Sequence, residues 1–97
     1  MSEVRIQLSV PIKAHGEEIT ELVLRKPSPD EAKTIGVLPY RMNDYSSIPD
    51  INISAACRYV SLCAGIPPSS VDQMDIADLN TACWAVTGFF WQRGSQT

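Results

Sequence analysis

An α+β domain, with an N-terminal β-hairpin packed on a short capped helix and two longer C-terminal helices, is the fold class that three features of the sequence predict. Val4, Ile6, Leu8 and Val10 alternate with Arg5, Gln7 and Ser9, the period of a strand with one buried face. Pro27-Ser28-Pro29-Asp30-Glu31 spells a helix start. From Asp75 to Gln92 apolar residues recur at steps of three and four, and no proline interrupts them.

The first strand is expected to end, or to lie at an edge, at Pro11, which has no amide to give to a ladder. Ala14-His15-Gly16-Glu17 supplies a turn in which Gly16 can take positive φ at no steric cost. A second strand, from about Glu18 to Lys26, places Thr20, Leu22 and Leu24 on its buried face. Two strands alone are marginal in water, so that face has to pack on the helices that follow. Ser28 is the N-cap of the first helix, Pro29 its N1 residue, and Glu31 completes a capping box. Gly36 and Pro39 stop it. Asp30 and Glu31 sit where the helix dipole favours negative charge, which accounts for them without acid/base chemistry.

Residues 37–49 carry Pro39, Asn43, Asp44, Ser46, Ser47 and Pro49 with no usable period, so a mobile loop is expected there. Tyr40, Met42 and Tyr45 within it either contact a partner or cover the core. Asp50 or Asn52 opens the next helix, whose face is Ile53, Ala56, Cys57, Val60, Cys63 and Ala64. Gly65-Ile66 suits a Schellman close, Pro67-Pro68 prevents continuation, and Ser69 or Ser70 starts a single turn through Met74. Asp75 then caps the last helix, with Asp78 at N3 of a capping-box-like pattern.

On that last helix Ile76, Leu79, Cys83, Val86 and Phe90 form the expected core seam. Trp84 and Trp91 fall roughly 120° away and Phe89 lies on the opposite flank, more apolar surface than one small core requires. Gly88, between the two tryptophans, costs a helix about 1 kcal/mol relative to alanine, and close approach of another chain would offset that cost. Trp84, Gly88, Phe89 and Trp91 are therefore the candidate partner-binding residues.

Composition narrows the function classes. The 97 residues carry a formal charge of -3, with eight Lys and Arg scattered along the chain, so no basic stripe is available to hold nucleic acid. No run approaches the roughly 18 apolar residues of a membrane span, and Met-Ser-Glu-Val-Arg lacks the apolar stretch of a leader, so residence in the cytoplasm is expected. Cys57, Cys63 and Cys83 are odd in number, with no Cys-x-x-Cys pair, and read as free buried thiols with no metal and no cofactor. His15, the single histidine, falls in the hairpin turn, which gives no Cys/His nucleophile and no enzyme.

Pro11-Ile12, the Gly16 turn, Ile19-Thr20-Glu21-Leu22-Val23-Leu24-Arg25-Lys26-Pro27 and the capped helix after it resemble the phage tail assembly chaperones. Cys63-Ala64-Gly65-Ile66-Pro67 and Met74-Asp75-Ile76-Ala77-Asp78-Leu79 are similar to that family's close, so the resemblance spans roughly residues 6 to 90. It looks like the tail protein E group of contractile-tailed phages related to P2 and Mu. Met42-Asn43-Asp44-Tyr45-Ser46-Ser47 departs from the pattern. The resemblance implies no catalytic residues. It implies a chaperone that coats the tape measure protein, leaves as the tail tube protein polymerises, and stays out of the mature virion. A longer form made by translational frameshifting is a further implied partner. The competing reading is a small self-associating structural or regulatory protein, a homo-oligomer.

Overall fold

The computed structural model describes residues 3–92. β1 (Glu3–Ala14) and β2 (Glu17–Arg25) form an antiparallel hairpin, followed by α1 (Pro29–Ile35) and a small ladder of β3 (Tyr40–Arg41) with β4 (Asp50–Ile51). α2 (Ile53–Ala64), α3 (Pro68–Val71) and α4 (Ile76–Phe89) complete the chain order, so the α+β class is the one predicted. α2 packs on β2 and α4, and α4 packs on β1. Leu22 and Leu24 of the hairpin, Tyr59 and Val60 of α2, and Val86 and Phe89 of α4 meet in the core between these layers.

The hairpin turn is tight because Ala14 pairs with Glu17 and leaves only His15 and Gly16 between them. Both take positive φ, 54° and 77°, as a two-residue primed turn requires. Pro11 does not end the strand. The pairing passes from Gln7 opposite Glu21 to Ile12 opposite Ile19, and this change of register sets Leu8 to Pro11 against Thr20 alone. The bulge removes Pro11 from the ladder, where its missing amide costs nothing, and breaks the alternation so that Val10 is exposed while Ile12 and Ala14 are buried. On β2 the same shift turns Thr20 outward and brings Ile19, expected on the polar face, partly into the core.

Side chains from the second half of the chain satisfy the hairpin's outer edge. The amide of Lys13 donates to Gln73 Oε1 at 2.8 Å, and its carbonyl accepts from Ser70 Oγ at 2.6 Å. Farther along the same strand, within the bulge, the amide of Ser9 donates to Asp78 Oδ2 at 2.9 Å and Ser9 Oγ donates to the same oxygen at 3.0 Å. An edge strand left open is a template for another chain, and these contacts close part of this one.

α1 is held by polar bonds and buries no residue completely. Ser28 Oγ accepts from the Glu31 amide, Glu31 Oε1 accepts from the Ser28 amide, and the predicted capping box is complete. Arg25, at the end of β2, donates to both Glu31 oxygens at 2.8 Å. The Arg25 guanidinium first, and the Ser28 amide second, hold the Glu31 carboxyl down at about 2. Within residues 37–49, expected to form a mobile loop, Tyr40 and Arg41 enter a short ladder: Tyr40 pairs with Ile51, Arg41 with Asp50, and the Asn52 amide donates to the Pro39 carbonyl at 2.8 Å. Asn52 caps α2, and the amides of Gly65 and Ile66 return to the Leu62 and Ser61 carbonyls as a Schellman close.

Candidate partner-binding surface

α4 sits one step around its axis from the predicted seam. Its buried line is Asp78, Ala82, Val86 and Phe89, with Cys83 and Thr87 also buried and Leu79 and Phe90 half-buried on the flank. Asp78 does not fold back on the Asp75 cap, which is satisfied through the Ala77 amide at 3.1 Å; it turns inward to the Ser9 bulge instead. That choice carries the helix with it. Ile76, assigned to the core from the sequence, is 75% exposed, and Phe89, assigned to the partner surface, is 2% exposed. Phe89 is a core residue, because once Asp78 points inward the residues three turns later at the same angle do so as well.

Trp84 and Trp91 do lie at the surface, 40% and 50% exposed. Trp84 is in the middle of α4, while Trp91 follows the C-cap in a turn whose amide donates to the Gly88 carbonyl. The Trp91 ring rests on Tyr40 of β3 at 4.6 Å between centroids. Phe90 meets Tyr40 at 6.1 Å and Tyr59 at 5.3 Å, both edge on. Tyr40 therefore covers the core's end and gives Trp91 a fixed platform, whereas Trp84 forms no aromatic pair among the described residues. Gly88 is half-buried, and a Cβ placed on it would meet no neighbouring atom within 4 Å. Nothing inside the fold demands glycine there.

α4 itself contributes no charge to this face. Between Ile76 and Gln92 the one charged side chain is Asp78, and it is turned away into β1. The outer side of α4 thus presents Ile76, Asn80, Trp84 and Gly88, with Trp91 just past its end, and no ionic group among them. Such a face is suited to contact with another apolar surface and unsuited to holding a phosphate or a metal.

The chain matches the model of a family described as phage tail assembly chaperone proteins, E, or 41 or 14, over residues 5–90. It belongs to the phage tail assembly chaperone family. Neither the curated proteins nor the solved structures contain a match.

The other sequence candidates fall elsewhere. Cys63 and Cys83 are buried and Cys57 is half-buried, all three free. Burial pushes the Cys63 and Cys83 thiols up to about 11, away from the thiolate a nucleophile needs. His15 is bonded through Nε2 to the Gly65 carbonyl at 3.0 Å, which joins the hairpin turn to the end of α2. Besides Val10 of the bulge, the apolar residues expected in the core that lie at the surface are two helical ones, Ile53, 60% exposed, and Ile76. Both are the first residue of a helix, directly after the N-cap, where a helical stripe has not yet acquired a neighbour one turn before it. That position is a signal against reading them as core.

Proposed function

We propose that the chain binds the tape measure protein of its phage, keeps it soluble until the tail tube polymerises around it, and is released before the virion matures. It would do this in the host-cell cytoplasm without enzymatic chemistry. The family match over residues 5–90 carries the reading. The uncharged outer face of α4, with Trp84 and Trp91 at its surface, supports it, since large aromatics dominate the energy of many protein contacts. A net charge of -3 outside that face would help keep a coated, apolar partner in solution.

Co-expression with the tape measure protein encoded in the same phage tests the proposal. Recovery of that protein in the soluble fraction and its co-purification with the chain are the expected results. The double variant Trp84→Ala with Trp91→Ala should lose the complex while keeping its fold, with a modest loss of stability at Trp91 because its ring rests on Tyr40. A tape measure protein that stays insoluble and unbound beside the folded wild-type chain would overturn the reading.

A further inference from the structure

We draw no further inference here: the strongest candidate, the open apolar groove between the start of α2 and the start of α4 lined by Ile51, Ile53, Ile76 and Leu79, is an unpartnered surface, and nothing in the structure shows what covers it.

Discussion

The two sides of α4 both depart from the usual division of a surface helix. Its inner side, lined mainly by Ala82, Cys83, Val86 and Phe89, also carries the one charged side chain between Ile76 and Gln92, Asp78, and a hydroxyl, Thr87 Oγ1, that is buried with no hydrogen-bond partner among the described residues. Its outer side carries Ile76, Trp84 and Trp91. An amphipathic helix ordinarily keeps charge in water and apolar groups inside. On the proposed function this departure separates two tasks: polar groups inside help set the angle at which the helix meets the hairpin, and apolar groups outside are left for a partner. Substitutions on the inner side should therefore change stability and leave partner affinity per folded molecule alone, and substitutions on the outer side should do the reverse.

The largest inner effect is expected at Phe89. Replacing it with alanine removes a ring that is fully enclosed by the core and leaves a cavity, at a cost of about 3 to 5 kcal/mol. Chemical denaturation measures it. A cost below about 1 kcal/mol would place Phe89 at the surface, where the sequence alone had put it.

Asp78→Ala is expected to cost about 2 kcal/mol, because the Ser9 amide and hydroxyl lose a charged acceptor together and the bulge is left unpinned. Asp78→Asn keeps one acceptor oxygen and should cost less. If both variants denature at the wild-type midpoint, the bulge does not set the angle of α4, and the comparison between its two sides loses its physical basis.

How legible this was in the sequence depends on whether the signal was local. The Ser28 cap, the Glu31 return bond and the Gly65-Ile66 close are all decided within a few residues, and each is where the pattern placed it. The fold class followed from such signals. The phase of α4 did not, because it depends on Asp78 meeting Ser9, 69 residues earlier in the chain, through a bulge that strand alternation gives no hint of. A local partner for Asp78 in a capping box sets a phase that buries Ile76 and exposes Phe89, and the Ser9 contact selects the other one. The ladder from Tyr40 to Ile51 was hidden for a related reason: two-residue strands are too short to show a period. Trp84 and Trp91 lie at the surface as expected, because they sit far enough from the seam that a one-step rotation leaves them outside.

Thr87→Val sharpens the same contrast in the opposite direction. The hydroxyl is wholly buried and unpaired, and valine has nearly the same shape, so the substitution removes a desolvated polar atom without opening a cavity. A gain of about 1 kcal/mol is expected. A loss would mean that the hydroxyl is satisfied by bound water or by the backbone of its own helix.

The smallest effect is also the one that separates the two sides most cleanly. Gly88→Ala adds a single methyl group inside α4, where glycine is unfavourable, and that methyl meets no neighbouring atom within 4 Å. The monomer should gain about 0.5 to 1 kcal/mol from the reduced freedom of its unfolded chain and the better helix propensity. A partner whose backbone approaches between Trp84 and Trp91 would meet the same methyl as an obstruction, so affinity for the tape measure protein should fall as stability rises. Opposite signs from one methyl group would be hard to obtain from any general loss of structure. Should stability and affinity both rise, the partner does not come close to Gly88, and the contact on α4 moves toward Trp84 and the Ile76 end of the helix.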